Sequence, residues 1–292
     1  MEDTYKETAV SNHYVLTLNC PDRPGIVNAM TAFLVEHGCD ITEHQQFDDA
    51  ENGVVFLRTS FSAPDGASLT GLREAFAATA ERYAMEWRLR NTGAKPRLLV
   101  MVSKFDHCLA DLLYRWRSGT LEGEIALVVS NHPDLEAQAV QAGVPFHHIP
   151  VARDGKPQAE QRLLRLVEDH GIDLVVLARY MQILSEDLCK RLEGRAINIH
   201  HSFLPSFAGA KPYHQAHRRG VKLVGATAHY VTADLDEGPI IEQEVIRVDH
   251  RQSAEQLVRV GREAERLALA RAVDWHCQSR VLLHGHRTVI FN

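Results

Sequence analysis

Four uninterrupted apolar runs constrain this chain most: Arg97-Leu98-Leu99-Val100-Met101-Val102, and residues 125–129, 173–177 and 196–199. Segments with helical spacing fall between them, at about 106–117, 134–142 and 157–170. A strand that is apolar at every residue must be covered on both faces, and strands alternating with helices do this as a parallel sheet with helices front and back. The chain from Arg97 onward is therefore expected to form a mainly parallel, Rossmann-like α/β domain. Ligands of such sheets bind beyond the carboxyl ends of the strands, which is where Asn198 and His200 lie. Residues 223–231 and 240–248 read as two long strands joined through the acidic turn Asp234-Leu235-Asp236-Glu237-Gly238-Pro239, and Ser253 opens a final long helix.

Residues 13–90 follow a different order. His13-Tyr14-Val15-Leu16-Thr17-Leu18-Asn19 is β-prone, and Ile26, Met30, Phe33 and Leu34 share one helix face before Gly38. Strand-like stretches follow at 40–47 and 53–61, then a helix over about 69–82 with Leu72, Phe76 and Ala80 on one side, then a strand at 85–90. That βαββαβ order predicts a ferredoxin-like domain over residues 1–90. Asn91-Thr92-Gly93-Ala94-Lys95-Pro96 has breakers and no periodicity, so 91–96 reads as a linker and 97–292 as the second domain.

Composition removes several function classes. The formal net charge is -6, which argues against broad nucleic-acid binding. No apolar run approaches a membrane span, and MEDTYKETAVSN lacks the pattern of a secretory signal. The five cysteines are scattered without a CxxC pair, so neither a disulfide framework nor a zinc site is expected. A cytoplasmic location, no metal and no membrane partner are the resulting expectations.

The chemistry concentrates at Asn198-Ile199-His200-His201 and at the acidic turn. Asn198 and His200 are one residue apart on a strand, so their side chains project to the same side. An amide and an imidazolium can both donate to an oxygen that becomes negative, and a nearby carboxylate can hold the imidazole charged and order or deprotonate a water. Asp234, Asp236 and Glu237 are the acids available for that task. Taken alone, Asp-Glu-Gly-Pro is a good turn and Asn-x-His is a strand end. Together they are the parts needed to handle a tetrahedral acyl intermediate. His147, His148, His201, His214 and His217 read as ordinary histidines.

Residues 97–292, with Asn198-x-His200 and the loop His229-Tyr230-Val231-Thr232-Ala233-Asp234-Leu235-Asp236-Glu237-Gly238, resemble the formyltransferases that use 10-formyltetrahydrofolate. The resemblance implies a catalytic trio of Asn198, His200 and Asp236, selecting Asp236 among the three acids. It also implies a folate cleft lined by Arg179, Met181, Ile183, His229 and Val231, largely through backbone groups.

The loop Cys20-Pro21-Asp22-Arg23-Pro24-Gly25-Ile26 resembles the opening of ACT domains. That likeness implies amino-acid binding at Asp22, Pro24, Gly25 and Ile26, and pairing of subunits into a dimer or tetramer.

Three features separate the chain from other formyltransferases. The glycine-rich phosphate loop of ribonucleotide transformylases is replaced by Ser103-Lys104-Phe105-Asp106-His107-Cys108. The stretch after Asp236 is too short for the extra domain of methionyl-tRNA formyltransferases. The ACT-like segment, His200-His201-Ser202-Phe203-Leu204-Pro205-Ser206-Phe207 and Ala210-Lys211-Pro212-Tyr213-His214-Gln215-Ala216 resemble formyltetrahydrofolate deformylases.

The implied reaction is hydrolysis of 10-formyltetrahydrofolate to tetrahydrofolate and formate, with no tightly bound cofactor. Asp236 would orient and help deprotonate the water, while Asn198 and His200 stabilise the oxyanion. The product would serve one-carbon balance and purine synthesis, with methionine and glycine as candidate effectors. The alternatives are transfer to an amine such as glycinamide ribonucleotide, or a non-catalytic sensor of folate or amino acids.

Overall fold

In the computed structural model of the chain, residues 12–152, 154–204 and 212–292 are described, the side chain of Pro212 excepted. Pro205, Ser206, Phe207 and the segment Ala210-Lys211 therefore lie outside the described residues. The chain forms two compact units: residues up to Ala94 together with Phe291–Asn292, and Lys95–Ile290.

The first unit runs β1 (His13–Pro21), α1 (Ile26–Glu36), β2 (Asp40–Asp49), β3 (Val54–Ser62), α2 (Leu69–Tyr83) and β4 (Glu86–Asn91). Its sheet has the order β2-β3-β1-β4 with antiparallel pairs throughout, the ferredoxin-like arrangement read from the sequence. Tyr14, Leu16, Leu18 and Cys20 alternate along β1 and meet Ile26, Met30, Phe33 and Leu34 of α1 and Leu72, Phe76 and Ala80 of α2 in one core. The Ser68 side chain caps α2 by accepting from the Gly71 N–H, and Ala84 ends it in the left-handed region.

The second unit continues with β5 (Arg97–Val102), α3 (His107–Arg117), β6 (Glu124–Ser130), α4 (Glu136–Gln141), β7 (Phe146–His148), α5 (Lys156–Asp169), β8 (Leu174–Leu177), α6 (Glu186–Arg191) and β9 (Ala196–His200). After these come α7 (Pro212–Arg219), β10 (Leu223–Tyr230), β11 (Ile240–Arg247), α8 (Ala254–Cys277) and the hairpin β12 (Val281–His284) with β13 (Arg287–Ile290). The main sheet has the order β11-β10-β9-β8-β5-β6-β7. It is parallel from β9 through β7, with β10 and β11 antiparallel at one edge.

The apolar runs divide between two faces, as a doubly covered sheet requires. Leu98, Val100 and Val102 join the core that α3 and α8 cover, while Leu99 and Met101 join the core over Leu163 and Val167 of α5 and Leu188 of α6. α8 begins with a capping box between Ser253 and Gln256, so its register on the sheet is fixed from its first turn. No helix among the described residues is long and apolar enough to cross a membrane.

Candidate active site

Asn198, His200 and Asp236 come together with His229. On β9, Ile197 and Ile199 point into the α8-side core and Ala196 into the opposite one, so the alternation sends Asn198 and His200 to the α6 side. β10 pairs with β9 so that His229 lies opposite Asn198. His200 Nδ1 is 3.2 Å from Asp236 Oδ2, and Asp236 Oδ1 is 3.7 Å from His229 Nε2. His229 Nδ1 lies 2.8 Å from the Tyr230 carbonyl, an acceptor, so that nitrogen carries the proton. The bare Nε2 then accepts from the Asn198 amide at 3.2 Å. One amide N–H of Asn198 is thus engaged and the second is left for a ligand.

The loop that returns from β10 delivers Asp236. The Tyr230 N–H donates to the Pro239 carbonyl at 2.9 Å. Gly238 lies so close beneath that a Cβ there would stand 1.8 Å from the Tyr230 oxygen, so only glycine fits. Asp236 itself has φ of 60°, a left-handed conformation that aspartate tolerates better than most residues. Burial works against its charge, yet the hydrogen bond from His200 outweighs that and holds the carboxyl well below the usual carboxylate range.

His200 is 6% exposed, and its Nε2 is out of solvent and has no hydrogen-bond partner among the described residues. A buried nitrogen left unpaired costs about 1–3 kcal/mol, and His107 Nδ1 and Arg179 Nε at the same cavity share that position.

These residues line a cavity of about 630 Å³. Arg179, Met181, Ile183, His229 and Val231, the expected folate-contacting residues, all line it as well. Met181 and Ile183 are exposed apolar side chains at its rim, with Leu177, Leu184 and Leu235 among the remaining lining. The Met181 N–H donates to Ser103 Oγ at 2.9 Å, and Ser103 Oγ donates to Asn131 Oδ1 at 2.6 Å, so the loop after β8 is tied to the ends of β5 and β6. His201 also lines the cavity, its ring 5.2 Å from that of His200. Burial, reinforced by the Arg179 charge, lowers its pKa to about 4.

A second ionic cluster borders the same cavity. Glu265 of α8, 2% exposed, lies 2.9 Å from His107 Nε2 and 3.2 Å from Arg179 Nε, and accepts from the Tyr213 hydroxyl at 3.2 Å. Burial opposes its charge, but the His107 hydrogen bond and the Arg179 guanidinium lower its pKa. His107, Cys108 and Glu265 could offer three metal-ligand atoms to one point. The guanidinium on the same carboxylate, and a Cys108 thiol that burial and then Glu265 push well up, fit an ion-pair network instead.

This cluster was not legible in the sequence reading. Its one signal is a glutamate within the small, buried stripe Gly261, Ala264, Ala268 and Ala272 of a helix.

The residues expected to hold an amino acid lie in the first unit. Asp22, Pro24 and Gly25 are exposed and Ile26 is buried. Gly25 enters α1 with φ of 96°, and no side-chain hydrogen bond caps the helix. Arg23 stacks on Tyr83 at 4.5 Å, and the Asp22 N–H donates to the Gly53 carbonyl at 2.8 Å.

Comparison with known proteins places this geometry. Residues 96–273 match the formyl transferase family. A formyltetrahydrofolate deformylase of Corynebacterium sp. (strain P-1) is 55% identical over 280 residues, covering 95% of this chain and 97% of the relative. The crystal structure of a formyltetrahydrofolate deformylase from Burkholderia mallei superposes with a TM-score of 0.92 at 53% identity, covering 96% of this chain and 100% of that one. A glycinamide ribonucleotide transformylase from Symbiobacterium toebii is more distant, with a TM-score of 0.65 at 32% identity over 70% of this chain and 97% of its own.

Proposed function

The chain belongs to the formyltetrahydrofolate deformylase family, within the formyl transferases, and from that membership we propose that it hydrolyses 10-formyltetrahydrofolate to tetrahydrofolate and formate. The observation that carries the site assignment is the His200 ring, which faces the Asp236 carboxylate through Nδ1 while its buried Nε2 has no hydrogen-bond partner among the described residues. The Nδ1–H donated to Asp236 leaves a lone pair on Nε2 of the neutral ring. That nitrogen takes a proton from water as the water oxygen attacks the formyl carbon, and Asp236 stabilises the imidazolium that forms. A carboxylate held far below its usual range is a weak base, which favours this role for Asp236 over direct deprotonation of the water.

The carbonyl oxygen becomes an oxyanion and accepts from the spare N–H of Asn198, whose amide is oriented by His229. His200 then returns its proton to N10, the C–N bond breaks, and formate and tetrahydrofolate leave. The apolar rim of Met181 and Ile183, with Arg179, His229 and Val231, would seat the folate rings, and no cofactor takes part in these steps.

We further propose that the first unit is an ACT-type regulatory and oligomerising domain in a cytoplasmic homo-oligomer. Asp22, Pro24, Gly25 and Ile26 would hold an amino acid, with methionine and glycine as the candidates. N–H groups without a side-chain cap at the start of α1 suit a carboxylate. Calorimetry with each amino acid tests the loop, and light scattering tests the assembly; absence of heat with both would remove the effector role.

The direct test of the reaction is incubation of the purified protein with 10-formyltetrahydrofolate alone. Formate release supports hydrolysis, and no turnover without an added amine would overturn it.

A further inference from the structure

Resting on the hydrolytic reading above, we propose that the His107–Glu265–Arg179–Tyr213 network is a built-in occupant of the acceptor end of the cavity. It excludes amine substrates and leaves water as the nucleophile.

The sheet topology says where a second ligand would sit. From β5 the chain builds β6 and β7 on one side and then returns to lay β8 and β9 on the other. The crevice outside the carboxyl ends of β5 and β8 is the switch point at which open α/β sheets take ligands. Both strand ends are committed in this protein. The turn after β5 carries Phe105 and His107, and Arg179 follows β8 with φ of 67°, a left-handed conformation unfavourable for an arginine. All three line the cavity beside the Asn198–His200–Asp236 trio.

The polar groups there converge on Glu265, while His107 Nδ1 and Arg179 Nε have no hydrogen-bond partner among the described residues. Both oxygens of Glu265 are engaged, one by His107 and Arg179 at 2.9 and 3.2 Å and the other by Tyr213 at 3.2 Å. The Gly225 carbonyl lies 3.3 Å from the same hydroxyl and competes with Glu265 for its single proton. The Tyr213 ring lies on α8 where Gly261 leaves room, since a Cβ at 261 would be 2.0 Å from Tyr213 Cζ. The guanidinium groups of Arg179 and Arg262 lie 5.3 and 5.6 Å from the Phe105 ring centroid. Asp106 at the N-cap of α3 forms no cap bond and puts a carboxylate where a phosphate would need a helix N-terminus.

A nucleotide-sized amine would have to displace the Phe105 and His107 side chains, and with His107 its bond to the buried Glu265, to enter. Losing a hydrogen bond to a buried charge costs about tenfold to a hundredfold in affinity. Water fits without disturbing it.

The experiment adds glycinamide ribonucleotide, the compound named for the related transformylases, to enzyme turning over 10-formyltetrahydrofolate. Formate and formylated amine are measured together. Native enzyme is expected to release formate at an unchanged rate at millimolar amine and to form no formylated amine. Paired Phe105→Gly and His107→Gly substitutions remove bulk from the proposed plug while leaving the trio untouched. In that variant the inhibition constant for the amine is expected to fall by about tenfold or more, with formylated product appearing.

Competitive inhibition of the native enzyme by micromolar amine overturns the proposal. So does a folded double variant that still releases formate yet neither binds nor formylates the amine. If the double variant does not fold, Tyr213→Phe takes its place, and undiminished exclusion in that folded enzyme counts against the proposal in the same way. Native enzyme that makes no formate at all would sink the hydrolytic reading instead, so the two failures are distinguishable.

Discussion

Two carboxylates border one cavity, and both are held below their usual range by histidines, but they are built for opposite ends. Asp236 sits on a loop in a left-handed conformation, 20% exposed, and one nitrogen of its partner His200 has no hydrogen-bond partner among the described residues. Glu265 sits in mid-helix at 2% exposure, and its oxygens are taken by His107, Arg179 and Tyr213. A charge held by partners with capacity to spare can exchange protons with a substrate. A charge whose oxygens are all engaged gives shape to the cavity and resists intrusion. On the proposed reading, the same ion-pair chemistry serves reaction in one place and exclusion in the other.

Neutralising each carboxylate separates the two roles. Asp236→Asn should lower kcat by about 10⁴, the cost of losing the group that orients a catalytic imidazole, out of proportion to its loss of stability. Formate release and a thermal melt on the same sample test both halves. A variant that unfolds without losing specific activity per folded molecule would erase the distinction.

Glu265→Ala should do the reverse. It leaves the Arg179 charge buried without its carboxylate, so unfolding in urea should show a loss of about 3–5 kcal/mol. A stability change below about 1 kcal/mol would mean that the cluster is no buried ion pair in solution. Asn198→Ala comes next, with a kcat loss of about 10²–10³ for one oxyanion donor and near-native KM, measured by steady-state kinetics. Full activity in that variant would remove Asn198 from the site.

How far each carboxylate could be read from the sequence follows from the same contrast. The apolar runs at β5, β6, β8 and β9 declared the sheet because a strand covered on both faces has no room for polar residues. The exit of β9 then pointed to Asn198 and His200. Asp236 stood among three acids, and the resemblance to formyltransferases selected it.

His229 was legible only as a backbone contributor. Its side chain's hold on Asn198 depends on the antiparallel register of β10 against β9, which no local pattern encodes. Glu265 meets His107 across 158 residues of chain, so neither residue announces the other. β7, with three residues, and α6, with six, are too short for periodicity to register. The β12–β13 hairpin turns through Gly285 at φ of 58°, a signal that was present and unused.

His201 stands between the two clusters and carries the smallest expected effect. Burial and the Arg179 charge hold its pKa at about 4, against an ordinary value of 6.5. The folded state therefore favours the neutral ring, while the unfolded chain takes up a proton below pH 6.5. Because the unfolded state binds more protons between about pH 6.5 and 4, stability should fall as the pH drops through that window, and the contribution is intact above it.

Replacing His201 with Asn removes this group from the titration. Urea unfolding at several pH values should then give a shallower loss of stability between pH 6.5 and 4 than in the native protein. Asp236 and Glu265, both held low, go on contributing above the ordinary carboxylate range and lose their contribution only at lower pH. An unchanged slope in His201→Asn would mean that His201 is solvated and protonates freely. It would then add a positive charge between the clusters, and the separation of a reacting carboxylate from an excluding one would have to rest on Asp236 and Glu265 alone.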